Sequence, residues 1–352
     1  MKFILRSALT PIQRDITLYA LALTAVSYQF LLYYKFESIN IELSLYRDSF
    51  IFGLISTFFL SSFFMYIYLI VKREKRPLKV YLNYSLLPFK YWNETLNFLF
   101  LSISVSIIFS VYTSVKYSIP EIIPFYLDPY LVELDQFIFW GFSAWEITHS
   151  IFSTPLATGV INFFYNIWFF IIWIFLISFM CCVKHNQIRK QVILSFLLCW
   201  IINGNIAALL FSSAGPCFYD LAYETSSPYT ELMHLLKQQN TFLIEQDSLF
   251  RVWALTLQDV LWESYTNRTS GIGKGISALP SMHVSMTCLI AIAVYSLNKN
   301  WGIFVWLYAL IIMIGSVHLG WHYAADGIVA VLLTSAIWYF VKRYTTKTNE
   351  LK

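Results

Sequence analysis

Residues 281–341 read SMHVSMTCLIAIAVYSLNKNWGIFVWLYALIIMIGSVHLGWHYAADGIVAVLLTSAIWYFV, and this stretch decides the fold. It holds three apolar runs, 281–298, 301–317 and 323–341, and its only full charges are Lys299, between the first two runs, and Asp326, near the start of the third. Runs of this length approach the roughly 20 residues that cross the hydrocarbon core of a bilayer as a helix. There the backbone must satisfy its own polar groups, and a helix does so within one segment. Working outward, the same pattern recurs at 16–34, 50–71, 96–115, 157–183 and 191–212. The expected fold is all-α: a polytopic integral membrane helical bundle of about eight transmembrane helices.

Composition agrees. The 352 residues are 58% hydrophobic and 12% charged, against about 25% charged in soluble domains. Such a chain cannot cover itself with polar surface, which excludes a soluble enzyme. The first run is too long for a cleaved signal peptide, and no small-x-small site follows it. No internal repeat or soluble domain is visible.

Lysine and arginine placement sets the orientation. With the N-terminus in the cytoplasm, 17 of the 24 basic residues fall inside, including the cluster Lys72, Arg73, Lys75, Arg76, Lys79 and Lys90. The other 7 are Lys35, Arg47, Lys116, Lys237, Arg251, Arg268 and Lys274. Both termini are expected in the cytoplasm. The net charge of +4 reflects this bias and the basic loop 72–90, which suits anionic lipid headgroups and implies no nucleic-acid partner. Cys217 is the one cysteine on the outer side, so an external disulfide has no partner there. Adjacent Cys181 and Cys182 read as core packing.

Two outer segments are long. In 116–156 the apolar residues from Asp128 fall at helical spacing, and Gly141 suits the helix end. An amphipathic helix in the interface is expected there. Segment 213–280 reads as one or two partly amphipathic helices over 227–267, between glycine-containing ends. Together the two can roof a site at the outer surface.

The chemistry lies at Pro280-Ser281-Met282-His283 and His322-Tyr323-Ala324-Ala325-Asp326. His322 and Asp326 stand four residues apart, on one helical face. A carboxylate there fixes the imidazole tautomer and leaves the other nitrogen free to attack. His283 offers a second imidazole that can move a proton. The topology brings all three to the same leaflet, at the outer ends of the sixth and eighth runs. Ionisable residues in such segments are functional candidates by default; the competing reading is a polar group bonded between helices. A metal reading also exists, because His318, His322 and Asp326 are spaced i, i+4, i+8 and His283 adds a fourth donor. Gly320 argues against one continuous helix through that set, and no metal or other cofactor is expected.

These motifs resemble the second and third motifs of the type 2 phosphatidic acid phosphatase superfamily, P-S-G-H and S-R-x5-H-x3-D. More closely, Gly275-Ile276-Ser277-Ala278-Leu279-Pro280-Ser281-Met282-His283 resembles the G-A-x-P-S-L-H region of fungal inositol phosphorylceramide synthases. Ser213-Ala214-Gly215-Pro216-Cys217-Phe218-Tyr219 resembles their A-P-P-W-Y segment. The likeness covers roughly 120–340. It implies an N-terminal two-helix addition over 1–95, a catalytic membrane domain with a six-helix core over 96–342, and a cytoplasmic tail over 343–352. The superfamily's K-x6-R-P motif has no match at a suitable place. Ser316 stands where the third motif has arginine, and Gly315 where it has serine. The ceramide phosphotransferase branch also lacks these basic residues.

The resemblance implies a membrane enzyme acting on a lipid phosphate or phospho-headgroup, with an alcohol or water as acceptor. His322 would be the nucleophile, Asp326 its orienting carboxylate and His283 the proton carrier. Phosphate needs positive partners; the candidates are Lys274, Arg251 and the helix start at Ser281. His318 could orient substrate or cap the preceding span. Tyr165, Asn166, Asp128 and Asp135 are weaker candidates for acceptor contacts, with packing or a solvated face as the competing reading. The expected location is a bacterial inner (plasma) membrane with the site facing outward. Hydrolysis alone, as by a polyprenyl diphosphate or phosphatidic acid phosphatase, and a non-catalytic transporter or assembly factor are the alternatives. Intact His283, His322 and Asp326 argue against the last, and no charge marks a transport path through the middle of a span; Asn203 and Asn205 are the polar cluster there.

Overall fold

In the computed structural model every apolar run forms a helix. The structure describes residues 11–36, 39, 41–182 and 186–350. Lys2, Arg6, Lys184 and Lys352, four of the basic residues counted above, lie outside the described residues. Among these residues all regular structure is helical, with no strand. In chain order the principal helices are α1 (Ile16–Lys35), α2 (Arg47–Val71), α3 (Trp92–Ile122), α4 (Asp128–Ile138), α5 (Ala144–Ile151), α6 (Pro155–Cys181), α7 (Asn186–Leu210), α8 (Thr230–Glu245), α9 (Trp253–Thr266), α10 (Met282–Leu297), α11 (Lys299–His318) and α12 (Ala324–Glu350). Further short helices lie at Pro77–Ser85, Leu87–Lys90 and Tyr219–Tyr223.

Seven helices, α1, α2, α3, α6, α7, α11 and α12, are long and apolar enough to cross a membrane, and α10 is a shorter apolar helix of 16 residues. The protein is an integral membrane protein. The helix starts follow local chemistry. Thr154, Ser281 and Asn298 each accept a hydrogen bond from the backbone N–H three residues on, capping α6, α10 and α11. At α5 Ser143 and Glu146 form a reciprocal capping box.

The chain divides into two compact units. The first comprises Met1–Leu31 and Ile41–Val111. Within it, Arg14 makes a two-pronged contact with Glu94 at 3.1 and 2.8 Å. Asn97 donates to the buried Asp15 at 2.6 Å and accepts from Tyr19 at 2.7 Å. These bonds tie the start of α1 to the start of α3. Helix α2 exposes large apolar side chains on most of its surface, as a lipid-facing helix does.

The second unit comprises Leu32–Asn40 and Tyr112–Lys352. Its polar cluster in mid-span is a structural tie. Residues Ile202–Ala207 of α7 form a π-helical turn. From it Asn203 donates to Ser285 of α10 at 3.0 Å and to Thr334 of α12 at 3.1 Å. A buried amide with partners on two neighbours pins three helices at one register. At one end of this unit the links between helices lock together. Cys217 N–H donates to Gly320 at 2.8 Å, Ala278 N–H to Ser213 at 3.0 Å, and Ser281 N–H to Asp326 at 3.4 Å. Gly215 sits at φ +95°, where a side chain at this position would meet the Trp321 carbonyl at 2.8 Å. The close approach of the 213–218 and 319–323 links requires glycine there.

Candidate active site

This locked end carries the sequence motifs. α10 begins at Met282, so His283 lies in its first turn. α11 ends at His318 and α12 begins at Ala324, so His322 lies in the link and Asp326 in the first turn of α12. The glycine break at Gly320, φ +74°, ends α11 and lets the chain turn back into α12.

His322 Nδ1 stands 3.2 Å from Asp326 Oδ2, and the same oxygen accepts from the Tyr323 N–H at 3.1 Å. An oxygen that already accepts a backbone bond matches a donor at Nδ1, so the proton belongs on Nδ1 and the lone pair on Nε2. Both residues are buried. Burial pushes the His322 imidazole down from its ordinary value to about 3, the nearby Lys116 charge pushes the same way, and a bond to the Ala278 backbone opposes them. A ring held neutral near pH 7 keeps its lone pair, which a nucleophile requires.

His283 packs face-on against two rings of α6. Its centroid is 4.3 Å from Tyr165 at an interplanar angle of 17°, and 4.0 Å from Trp168 at 31°. Its ring nitrogens have no hydrogen-bond partner among the described residues. Its electrostatic neighbours are the His322 imidazole and the Lys116 ammonium, which places the three groups in one neighbourhood. Tyr165 Oη and Trp168 Nε1 are buried without a partner among the described residues. Two unpartnered donors beside a histidine can serve an acceptor atom brought to this place.

The remaining sequence candidates fall elsewhere. Ser281 is spent on capping, accepting from Val284 N–H at 3.4 Å. Lys274 folds back over its own loop and donates to Thr269 Oγ1 at 3.1 Å. Arg251 is exposed, and its carbonyl accepts from Asn162 of α6 at 2.8 Å. Asn166 donates back to the Asn162 carbonyl on its own helix. His318 is buried in a separate pair. Its ring stacks on His149 of α5 at 3.6 Å, with its nitrogens 2.9 Å from Thr158 Oγ1 and 3.2 Å from Thr148 Oγ1. The metal alternative needed His318 to converge with His322 and Asp326; both its ring nitrogens are engaged by threonines instead.

Asp128 and Asp135 are buried anchors of α4. Asp128 accepts from the N–H groups of Ala214 and Gly215, both at 2.8 Å, and from the hydroxyls of Tyr223 at 3.0 Å and Tyr323 at 2.9 Å. Asp135 accepts from Ala324 N–H at 2.8 Å and Ala325 N–H at 3.0 Å, the first turn of α12. Burial pushes the Asp135 carboxyl up, against those two backbone bonds.

Sequence reading missed Lys116 as a site residue. It counted Lys116 as the first residue outside a span ending at 115, but α3 continues to Ile122 and carries Lys116 toward the two imidazoles. Gly275, at φ +102°, packs its backbone on the Lys116–Tyr117 peptide, where an added Cβ would meet Tyr117 N at 2.9 Å and Lys116 C at 3.0 Å. The loop leading to His283 is thereby seated on the backbone at Lys116–Tyr117. No acidic side chain pairs with Lys116 among the described residues. The available signal was a lone lysine one helical turn before Pro120, in a chain short of outer cations. His149 gave none.

A family model described as the PAP2 superfamily matches residues 129–340. No curated protein and no solved structure matches the chain.

Proposed function

The chain belongs to the PAP2 superfamily, and from that premise we propose that it is a lipid phosphotransferase or phosphatase working through a phosphohistidine. The observation that carries the reading is the buried His322–Asp326 pair, with His283 in the same neighbourhood and Lys116 beside both. In the first step His322 Nε2 attacks phosphorus and the bond from phosphorus to the leaving oxygen breaks. That oxygen takes a proton delivered through His283. Asp326 stabilises the charge that develops on His322. In the second step the acceptor hydroxyl gives its proton to His283 and attacks phosphorus. The P–N bond breaks and its electron pair returns to Nε2. Lys116 holds the phosphoryl oxygens.

The phosphate-ester class follows from the family. The finer choice, transfer to an alcohol in the manner of the inositolphosphotransferase branch, rests on the motif likeness and on Ser316 in place of arginine. Ser316 is buried and donates to the Met313 carbonyl of its own helix at 2.7 Å, so it offers phosphate nothing. The proposed orientation places the site at the extracytoplasmic face, with residues 1–95 as an addition to the catalytic membrane domain.

The test is purified protein in phosphatidylcholine vesicles with a panel of lipid phosphates, with and without alcohol acceptors. Free phosphate and new phospholipid are both assayed, and a phosphoenzyme is trapped by acid-free quenching. A radiolabelled, acid-labile phosphoenzyme lost in His322→Ala is expected. Turnover by His322→Ala at the wild-type rate would remove the phosphohistidine mechanism. New lipid with little free phosphate supports transfer; free phosphate alone under every acceptor supports hydrolysis.

A further inference from the structure

Helix α4 has three faces. Asp128, Leu131 and Asp135 are buried at i, i+3 and i+7. Tyr130, Leu134 and Phe137 form a second, exposed apolar stripe at i, i+4 and i+7. Glu133 and Gln136 point between them. Beyond the helix, Trp140 is 89% exposed and Phe137 83%. Trp140 also sits at φ 54°, in the left-handed region. The C-cap there has the Schellman form, with Gly141 N–H donating to Gln136 at 2.7 Å, and the position Trp140 occupies is normally glycine's. A bulky residue held in this backbone is costly, and such strain marks functional positions.

The level of α4 in the unit is fixed by its bonds. Tyr126 and Leu127 N–H groups both donate to Ser212 at 3.2 Å, and the Tyr126 hydroxyl donates to Leu210 at 2.7 Å, at the end of α7. Asp135 bonds the start of α12. The preceding span, α3, ends at Ile122. The helix therefore lies where three spans end, at the depth of a membrane–water interface, and tryptophan and tyrosine favour that depth. An apolar stripe at this depth, between a buried face and a polar one, fits a lipid surface.

The other side of α4 holds the chemistry. Asp135 takes the first two N–H groups of α12, while Asp326, in that same turn, takes the next N–H toward the N-terminus together with His322. Asp128 holds the hydroxyl of Tyr323, the residue between nucleophile and helix. We propose that α4 is a lipid-docking helix, seated in the leaflet at this end by Phe137 and Trp140, whose aspartates transmit that seating to the position of His322. Asp135 and Asp128 are thus positioning residues. The coupling to turnover rests on His322 being the nucleophile; the seating does not.

Two measurements separate these parts. In phosphatidylcholine vesicles, a fluorophore on Phe137→Cys, with the five native cysteines replaced, should be quenched by a shallow nitroxide lipid and shielded from aqueous iodide. Quenching by iodide and not by lipid overturns the docking. The second uses dihexanoyl phosphatidic acid, which reaches the site from water, alongside its long-chain analogue. Phe137→Asp and Asp135→Asn should each lower kcat on both substrates, by up to about 100-fold, the loss that a misplacement of about 1 Å at the reacting atoms produces. The double variant should lose no more than the worse single one, because both act on one link. A rise in KM confined to the long-chain substrate would mean that α4 merely admits lipid, and would overturn the coupling. If the wild type turns over neither, the same comparison is made with the short- and long-chain forms of whichever panel lipid it does turn over; if it turns over none of the panel, the proposed function fails and the quenching result still decides whether α4 docks.

Discussion

Removing the Lys116 charge is the sharpest test of how phosphate is held. Lys116→Met keeps an unbranched side chain of similar length, leaves the Lys116–Tyr117 peptide beneath Gly275 in place, and deletes the ammonium. An ammonium and a phosphate oxygen about 4 Å apart attract by about 4 kcal/mol at an effective permittivity of about 20. Part of this acts in the ground state, so the loss in kcat/KM should match that of one preorganised donor, about 10²- to 10³-fold or about 2.7–4 kcal/mol. Lys116→Arg should keep much of the activity, since its charge is retained.

A second signature separates electrostatics from packing. The Lys116 charge is one of the causes that push His322 down to about 3. Deleting it should move the acid limb of the kcat/KM profile, which reports the free enzyme, to higher pH. Loss of packing alone would lower the rate without moving that limb. The assay is steady-state turnover of a lipid phosphate in vesicles from pH 3.5 to 8, beside Lys274→Ala, whose ammonium is engaged by Thr269. Wild-type activity in Lys116→Met, together with a large loss in Lys274→Ala, would refute the reasoning and return the phosphate to the 271–280 loop.

Asp326→Asn should retain a small residue of activity, reduced about 10⁴-fold as in other triads where the orienting carboxylate becomes an amide and the tautomer is wrong; full loss of fold, read by gel filtration, would void that reading. Tyr165→Phe should leave the protein as stable or slightly more so in thermal unfolding, because the buried hydroxyl has no partner among the described residues, yet lower turnover with an alcohol acceptor; unchanged turnover would return Tyr165 to a packing role. His322 also sets a stability window. Its folded value, about 3, lies below the ordinary 6.5, so the unfolded chain takes up the proton first. Its contribution is complete above pH 6.5 and is lost as pH falls from there toward 3. Thermal unfolding followed in that window should show less acid loss in His322→Gln, and an identical slope would contradict the buried neutral ring.

The spans were legible because each needs only length and apolarity, and a bilayer enforces both. The pairing of His322 with Asp326 was legible for a similar reason: four residues at a helix start leave little freedom. What failed to show was lateral. α3 was closed at its first charge, because hydropathy ends where polarity begins. The helix does not end there, since backbone hydrogen bonding continues through Lys116 to Ile122. α5 was missed although Ser143 and Glu146 spell a capping box, because eight residues carry too little periodicity to stand out.

Asp128 and Asp135 show the deeper limit. On the sequence they are two acidic residues seven apart on one helical face, a pattern equally suited to substrate, solvent or structure. Their meaning lies in partners about 190 residues away, Tyr323, Ala324 and Ala325, which no local pattern can supply. A helix start left with free N–H groups would itself attract anions. Here Asp135 and Asp326 take three of those groups, so the α12 start is already occupied by protein carboxylates. An incoming phosphate must find its positive field elsewhere, and the cation whose charge reaches both imidazoles is Lys116. On the proposed mechanism, the aspartates that hold His322 in place are thus also the reason the phosphate turns to a lysine on another helix.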